Sequence, residues 1–385
     1  MRSLATEAPL APPGAVLRLM VSEFRCYRQA ALDADGDSVV LTGPNGAGKT
    51  NVLEAVSLLS PGRGLRRARL AEIDRRNAGM RWAVSATLGF PAGALAIGTG
   101  RDPDAAEDVD RRVVRIDGIP QRGPASLADH VAVSWLTPAL DRLFADGAGG
   151  RRRFIDRLAL GFDPDHARRV AAFDQAMRER AKLLQQGGAD PVWLDALEAT
   201  MAAEGVAVAA SRKVLVRRLA AMAGRGEGGF PVPVMAMTGD LAGWLDAMPA
   251  LEAEERLAQA LAEARRHDAE TGGAGAGPQR DDLSVGFAAT GMPAKLCSTG
   301  EQKALLVAIV LAHARLVTAE RGRPPLLLLD EIAAHLDAER RAALFDQIRH
   351  IGCQAWLTGT DEMLFASLAG RARFFRVADA RIEPR

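Results

Sequence analysis

The sequence predicts an α/β protein in which a parallel or mixed sheet flanked by helices is interrupted by an inserted α-helical arm. Three observations support this fold class. A glycine-rich loop joins a β-prone run to a helix within residues 38–56, a second apolar run ends in two acids at residues 326–331, and helical periodicity dominates residues 165–225 between them. Alternation of strand and helix patterns is typical of a parallel sheet covered by helices.

The glycine-rich loop is the first element. It reads Gly43, Pro44, Asn45, Gly46, Ala47, Gly48, Lys49, Thr50, with Asn51 following. This fits Gly-x-x-x-x-Gly-Lys-Thr, in which backbone N–H groups cradle phosphate, the lysine reaches the outer phosphates and the threonine serves Mg²⁺. The β-prone run before it and the helix after it place the loop at a helix N-terminus, which favours anions. We therefore predict that Gly43 to Asn51 bind a nucleotide, with Lys49 also acting in catalysis.

The second apolar run, Leu326 to Leu329, follows two prolines and ends in Asp330 and Glu331. Such a run suits a strand buried on both faces of a parallel sheet, whose C-terminal end is where these folds bind ligands. We predict that Asp330 joins Thr50 at Mg²⁺ and that Glu331 is catalytic, polarising an attacking water. The alternative is a strand that merely ends in solvated acids, which the phosphate loop makes less attractive.

A third segment precedes a strongly apolar helix. It reads Ser298, Thr299, Gly300, Glu301, Gln302. Ser298 with Glu301 fits a capping box, so one interpretation is a well-made helix start. The segment also resembles the signature motif of ABC-type ATPases, which closes over the γ-phosphate bound to the opposite subunit. The two interpretations agree physically, because a capped helix N-terminus with a close glycine can receive an anion.

Two further segments resemble parts of ABC-type ATPases. Residues 334–337, ending in Asp337, resemble the D-loop that crosses the dimer interface. Residues 354–360 predict a strand, at whose end transporter ATPases carry a histidine that contacts the γ-phosphate. Here that position falls near Thr358 or Thr360, whose hydroxyl could donate a hydrogen bond to phosphate but could not carry a proton charge. This departure argues against a transporter.

Several segments together resemble the RecF family of bacterial recombination mediators. In chain order they are Glu23–Arg28 (with Phe24-Arg25-Cys26-Tyr27), Thr50–Ala55, Leu58–Arg66, Leu136–Pro138 with Arg151–Asp156, and Gly277–Asp282. Cys26 stands where the family usually has asparagine, and Gln279 where it has histidine. The resemblance spans about residues 17 to 360 in the family's order of motifs, and the combination is more specific than any ABC motif alone.

The resemblance implies an SMC-like ABC ATPase core with a small β subdomain. It implies ATP and Mg²⁺ as cofactors, an ATP-dependent head-to-tail homodimer and slow, DNA-stimulated hydrolysis. It also implies binding to double-stranded DNA at gaps and single-strand junctions, and partnership with RecO and RecR to load RecA. Gap repair, replication restart and the SOS response are the processes implied.

A large insertion separates the phosphate loop from the signature-like segment. We expect a flexible leader over residues 1–14, an ATPase domain over 15–138 and 270–385, and a helical arm over 139–269. Glycine and proline between residues 186 and 191 break the helical pattern into a hairpin. This arm is far too short for the coiled coil that SMC proteins carry at the same place.

Composition limits the partners. The net charge is +1, the mean hydropathy is −0.02 and the three cysteines are far apart, so we expect a soluble cytoplasmic protein without a membrane span or a cysteine metal site. Any DNA-binding surface must be local. The leading candidates are Arg63, Arg66, Arg67 and Arg69, although arginine clusters are often only solvated faces. With one tyrosine in total, the chain is unsuited to base stacking, so we expect phosphate contacts to duplex DNA.

Functions of other classes stay open on the sequence alone. A transporter ATPase is disfavoured by the missing histidine, by the missing glutamine of ABC Q-loops and by the oversized insertion. An ATPase subunit of a nuclease-linked repair or defence complex could share the core motifs. A non-hydrolysing scaffold fits poorly with Lys49, Asp330 and Glu331 together.

Overall fold

The computed structural model describes residues 12–106, 109–187 and 190–385, so the expected leader lies outside the described residues up to position 11. The described chain forms two compact units. The first comprises the residues up to Leu140, Glu227–Phe230 and Val310–Arg385, and the second comprises Asp141–Gly226 and Pro231–Ile309.

The N-terminal part of the first unit is mostly strand. Its elements are β1 (Ala15–Phe24), β2 (Tyr27–Asp33), β3 (Ser38–Thr42), α1 (Lys49–Ser57), α2 (Leu70–Ile73), β4 (Ala83–Phe90), β5 (Gly93–Arg101), β6 (Arg112–Ile116), β7 (Ile119–Pro120) and β8 (Val133–Leu136). An antiparallel sheet has the order β2-β1-β4-β5-β6-β7, in which exposed and buried residues alternate along β4. This sheet matches the expected β subdomain.

The second unit contains the helical arm and a small sheet. Its elements are α3 (Ala148–Ala159), α4 (His166–Gln186), α5 (Pro191–Ala223), β9 (Pro233–Thr238), α6 (Asp240–Ala247), α7 (Ala250–Glu263), α8 (Arg265–Thr271), β10 (Asp282–Phe287), β11 (Met292–Pro293) and the start of α9 (Thr299–Arg321). The predicted hairpin is present as α4 and α5. At 33 residues, α5 is about 50 Å long.

The hairpin is held by apolar packing and by buried charges. Phe173 of α4 packs on α5 at Gly205, where an added Cβ would lie 3.1 Å from the phenyl ring. Arg180 of α4 is buried and donates to Glu198 of α5 and Asp268 of α8, each at 2.8 Å. A buried charge is tolerated only when it is paired in this way, so these contacts fix how the helices pack.

The chain returns to the first unit for its last elements. They are β12 (Leu326–Leu329), α10 (Ala338–Ile351), β13 (Ala355–Gly359), β14 (Ala372–Ala378) and β15 (Arg381–Pro384). A second sheet has the order β15-β14-β3-β13-β12-β8, parallel except for β15. The strands predicted around residues 38–42, 326–329 and 354–360 are therefore neighbours in one parallel sheet. The buried side chains of Leu41, Leu328 and Trp356 belong to the core that covers it.

The units divide the chain differently from the expected boundaries. The second unit extends to Ile309, whereas the arm was expected to end at residue 269. The physical reason is strand pairing, because β9, inside the expected arm, pairs along its whole length with β10, outside it. Residues 270–309 thus fold with the arm. The assignment of separate roles to the two lobes stays a prediction.

Two segments shared with the RecF pattern meet within the second unit. Arg151 forms a bidentate ion pair with Asp282, at 2.8 and 2.7 Å, and Arg152 donates to the carbonyl of Asp281 at 2.8 Å. Asp156 accepts two hydrogen bonds from Arg212 of α5. Bidentate charged pairs of this kind are strong and directional, so these segments tie α3 to β10 and to α5.

Helix α9 is the one described helix that is long and apolar enough to cross a bilayer, judged by length and composition. The most apolar part of it is 78% buried inside the protein, which is equally typical of a core helix in a soluble protein.

Candidate functional site

The phosphate loop adopts a conformation that depends on its glycines. Gly43 and Gly48 have φ values of +147° and +113°. A Cβ on Gly43 would lie 2.1 Å from the carbonyl oxygen of Val377, and one on Gly48 would lie 2.7 Å from the hydroxyl of Tyr27. At Gly46, φ is +80° and an added Cβ would meet nothing within 4 Å. Two glycines therefore allow close backbone packing, while the third faces open space that a phosphate group could fill.

Tyr27 packs against the loop and bonds to it, a contact that the sequence did not reveal. Its hydroxyl donates to the carbonyl of Gly48 at 3.1 Å, and burial raises the pKa of this phenol far above its ordinary value. Tyr27 thus stays a neutral donor. The available signal was the place of the only tyrosine of the chain in a RecF-like segment, two strands before the phosphate loop.

Lys49 folds back over the loop. Its Nζ donates to the carbonyls of Gly43 and Pro44, at 2.8 and 2.9 Å, and the side chain is buried. Burial lowers the pKa of Lys49, while the nearby carboxylates of Glu331 and Asp330 act in the opposite direction. The lysine is therefore held beside the first residues of the loop, where its charge can interact with phosphate.

The acids reach the loop from the other end of the sequence. The hydroxyl of Thr50, in the first turn of α1, lies 3.0 and 3.1 Å from the two carboxylate oxygens of Asp330, which follows β12. A hydroxyl and a carboxylate are hard oxygen ligands that suit Mg²⁺, which typically takes its other ligands from phosphate and water. Among the residues that the structure describes, no group of three or more His, Cys, Asp or Glu could hold a metal by itself. The donor set therefore fits Mg²⁺ shared with a nucleotide.

Glu331 has an unusual backbone. Its φ of +56° is in the left-handed region, which is uncommon for a residue other than glycine. Its N–H donates to the hydroxyl of Thr358 at 3.0 Å, and that hydroxyl donates to Asp330 at 2.7 Å. Thr358 was considered as a donor to phosphate, but its one hydroxyl hydrogen is already directed at Asp330. Thr360 is exposed beyond the end of β13.

The signature-like segment begins α9. Ser298 and Glu301 form the predicted capping box, since Ser298 N donates to Glu301 Oε2 at 2.8 Å and Glu301 N donates to Ser298 Oγ at 3.3 Å. Ser298, Thr299 and Gly300 are exposed, whereas Gln302 is buried and donates to the carbonyl of Cys297 at 2.9 Å. The exposed edge is thus a capped helix start, in which the N–H and the hydroxyl of Ser298 are both bonded to Glu301.

Asp337 caps the next helix. Its side chain accepts a hydrogen bond from the N–H of Arg340 at 2.8 Å at the start of α10, and Asp337 itself is exposed. His335, two residues before it, is also exposed. The D-loop-like segment is therefore ordered by its own helix and accessible from outside.

The arginine candidates divide into two kinds. Arg66 donates to Asn51 at 2.8 Å and lies 3.3 Å from the buried carboxylate of Glu54. Glu54 also forms a bidentate pair with Arg25, at 2.8 and 2.6 Å. Arg66 is therefore tied to α1, which sequence reasoning missed, although Asn51 and Glu54 belong to a RecF-like segment. Arg66 itself is exposed, and so are Arg63, Arg67 and Arg69.

Arg112 is a second residue that sequence reasoning missed. It is buried and donates to the carbonyls of Leu58, Ser60 and Gly62, after the C-terminal end of α1. Burial lowers its pKa to about 10. Because a helix C-terminus favours a cation, Arg112 fixes the chain between the nucleotide loop's helix and the exposed arginines.

A phosphate loop, an acid pair at the end of another strand of the same parallel sheet and a signature-like helix start together are the arrangement of the SMC-like ABC-type ATPase fold. Two of the solved structures with this fold illustrate the likeness. One, described as the recombination mediator protein RecF-ATPrS in the RecFOR pathway, has a TM-score of 0.83 at 19% identity and covers 97% of this chain and 99% of its own. The other, a Pyrococcus furiosus Smc head domain, has a TM-score of 0.51 at 14% identity and covers 96% of both.

Sequence comparison identifies the family to which the chain belongs within this class of ATPases. DNA replication and repair protein RecF of Mesorhizobium japonicum (strain LMG 29417 / CECT 9101 / MAFF 303099) is 48% identical over 371 residues, which cover 96% of this chain and 97% of that protein. No family model matches the chain. The chain belongs to the RecF family of DNA replication and repair proteins. This membership favours DNA repair over the transporter and defence-complex alternatives.

Proposed function

We propose that this chain is an ATP-dependent DNA-binding recombination mediator. It dimerises on ATP, binds double-stranded DNA at gaps and single-strand junctions, and promotes RecA loading with RecO and RecR in gap repair, replication restart and the SOS response. The observation that carries the proposal is the contact between Thr50 and Asp330, which joins two halves of an ATPase site 280 residues apart. Family membership and the likeness to a structure described as RecF-ATP in the RecFOR pathway support it.

The residues of one chain divide the work at the nucleotide. Gly43 to Asn51 surround the phosphates, with Lys49 supplying positive charge, and Thr50 and Asp330 hold Mg²⁺. When bound, the ion neutralises charge on the β- and γ-phosphates. Glu331, beside Asp330, accepts the proton of an attacking water. Lys49 is kept in place before ATP arrives by the two carbonyls that it contacts.

The remaining groups around the γ-phosphate come from a second copy of the chain. Ser298 to Gln302 of that copy close over the γ-phosphate, and Asp337 lies at the interface. Both segments are exposed at their outer edges, as this role requires. Because each chain alone carries half of the groups that stabilise the transition state, hydrolysis is slow and requires closure of the dimer. We also propose that DNA stimulates hydrolysis. The time that the dimer stays on DNA is then set by how long its ATP remains unhydrolysed.

We assign these roles to an ATPase lobe that the sequence predicts over residues 15–138 and 270–385, with the arm over residues 139–269. Residues 270–309 fold with the arm, so the roles of the signature-like segment are assigned by residue and not by unit. The protein acts in the cytoplasm without a membrane partner. Its DNA contacts are to the duplex backbone, through exposed arginines after α1.

Ser298→Arg tests the dimer directly. The arginine fills the space in which a phosphate would be received, so we expect ATP binding by the monomer to stay unchanged while ATP-induced dimers disappear. Light scattering measures mass with and without ATP, and equilibrium binding of a fluorescent ATP analogue measures affinity. Gln259→Arg, on the exposed face of α7, is the control and should dimerise normally. A Ser298→Arg variant that still doubles its mass on ATP addition would contradict the trans arrangement.

Charge reversal tests the DNA surface. Arg63→Glu with Arg67→Glu should weaken duplex binding at low salt and reduce the slope of log affinity against log salt by about 2, because each lost phosphate contact removes about 0.9. Arg371→Glu with Arg381→Glu, exposed near β14 and β15, is the matched control and should bind as the unsubstituted protein does. An unchanged slope in the first variant would remove this surface from consideration.

A further inference from the structure

Thr358 has one hydroxyl that contacts the carboxylate of Asp330 and the backbone N–H of Glu331 in the candidate ATPase site. Its oxygen lies 2.7 Å from Asp330 Oδ1 and 3.0 Å from the backbone nitrogen of Glu331. The residue is 1% exposed, so water does not compete for these bonds. The contact is therefore a buried part of the site and not a solvent-exposed contact.

The direction of both hydrogen bonds follows from chemistry. A backbone N–H can only donate, so the hydroxyl oxygen of Thr358 accepts from Glu331. An ionised carboxylate can only accept, so the same hydroxyl donates its single hydrogen to Asp330. One side chain thus orients the carboxylate of Asp330 and the peptide of Glu331 at once. Valine, which has the same shape, can do neither.

The sheet explains why Thr358 is a firm support. β13 pairs in parallel with β3 on one side and β12 on the other, and Leu357 is in register with Leu329. The next residues along the two strands are Thr358 and Asp330. Since β13 has a neighbour on each side, its backbone is fixed, and the Thr358 hydroxyl is held at a set position beside the acids.

Glu331 requires such a support. Its left-handed backbone, with φ of +56° and ψ of 14°, is maintained only when surrounding contacts favour it. The bond from its N–H to Thr358 is one such contact. Thr50 is not an equivalent partner for Asp330, because its hydroxyl is also proposed to bind Mg²⁺.

We propose that Thr358 is a positioning residue for ATP hydrolysis, which sets the carboxylate of Asp330 for Mg²⁺ and the backbone of Glu331 for the attacking water through one hydroxyl. The proposal rests on the proposed ATPase function and deepens it. It does not place Thr358 in contact with nucleotide.

Thr358→Val and Thr358→Ser test the proposal. We measure steady-state ATP turnover, and separately the affinity for a fluorescent ATP analogue in Mg²⁺ and in EDTA. For valine we expect turnover to fall by about 100-fold, the effect of a small misplacement of catalytic groups. The factor by which Mg²⁺ strengthens binding should fall by about tenfold, as for other partners of metal ligands. Affinity in EDTA should not change, and serine should restore both quantities to within about threefold.

Controls separate the hydroxyl's role from packing. Thr318→Val removes a hydroxyl that donates to the Ala314 carbonyl within α9, at 2.8 Å, and should behave as the unsubstituted protein does. Thermal unfolding checks the fold, and Thr358→Ala replaces the valine variant if the latter does not fold. The inference is overturned if valine leaves both turnover and the Mg²⁺ effect intact, or if serine is as defective as valine. If the unsubstituted protein never hydrolyses ATP, the proposed function fails, and the Mg²⁺-to-EDTA ratio alone decides the role of Thr358.

Discussion

Lys49→Met is expected to weaken ATP binding by at least about 100-fold. The methionine keeps the length of the side chain but removes the only charge that the phosphate loop itself offers to phosphate. Charge-assisted hydrogen bonds each contribute roughly 1.5–3 kcal/mol, and every 1.4 kcal/mol is tenfold in affinity, so the loss of two such bonds accounts for an effect of this size. Isothermal titration with ATP and Mg²⁺ measures it.

The fold should survive this substitution. Lys49 is bonded to two backbone carbonyls at the edge of the loop and forms no buried ion pair there, so methionine leaves no carboxylate unpaired. Lys182→Met, on the exposed face of α4, controls for the loss of one positive charge. Nucleotide affinity equal to that of the unsubstituted protein, with an intact thermal transition, would show that Gly43 to Thr50 are not the phosphate site.

Glu331→Gln is expected to reduce turnover by about 1,000-fold while ATP binding is retained. General-base groups contribute on the order of 10²–10⁴ to rate, and the amide has nearly the same shape but cannot take the proton. Since hydrolysis would no longer separate the two copies, ATP-bound dimers should accumulate. Turnover assays, and size-exclusion chromatography with light scattering in ATP, measure the two effects.

The backbone of this variant should keep its support. The bond from the residue-331 N–H to Thr358 does not involve the substituted side chain, so the local conformation is expected to persist. Glu383→Gln, exposed on β15, is the matched control and should turn over ATP at the unsubstituted rate. A Glu331→Gln protein that elutes as a monomer in ATP would argue against closure by a second copy.

Local patterns predicted most of the elements from which this site is built. The run Ser38 to Thr42 is a strand with those bounds, and Leu326 to Leu329 is another. Their composition and length predict this, because four or five apolar or β-branched residues beside glycine or acids suit a buried parallel strand. The capping box at Ser298 was equally readable, since its two partners are three residues apart.

Contacts between distant residues could not be predicted in this way. Arg66 bonds to Asn51 and Glu54, because the turn after α1 brings it back over that helix, and its predicted contact with DNA stays a prediction. Thr358 was considered beside a phosphate, yet its hydroxyl serves Asp330. In both cases the residue type was informative, but its partner depended on how separate segments pack.

The sequence by itself determined the strands, the glycine loop, the acids and the family, since these depend on residue order and on short-range propensity. Only the tertiary structure decided which polar groups meet. The pairing of Thr50 with Asp330, of Arg151 with Asp282 and of Thr358 with both acids depends on strand register and burial. Because a hydrogen bond requires about 3 Å and a defined direction, only a folded chain specifies it.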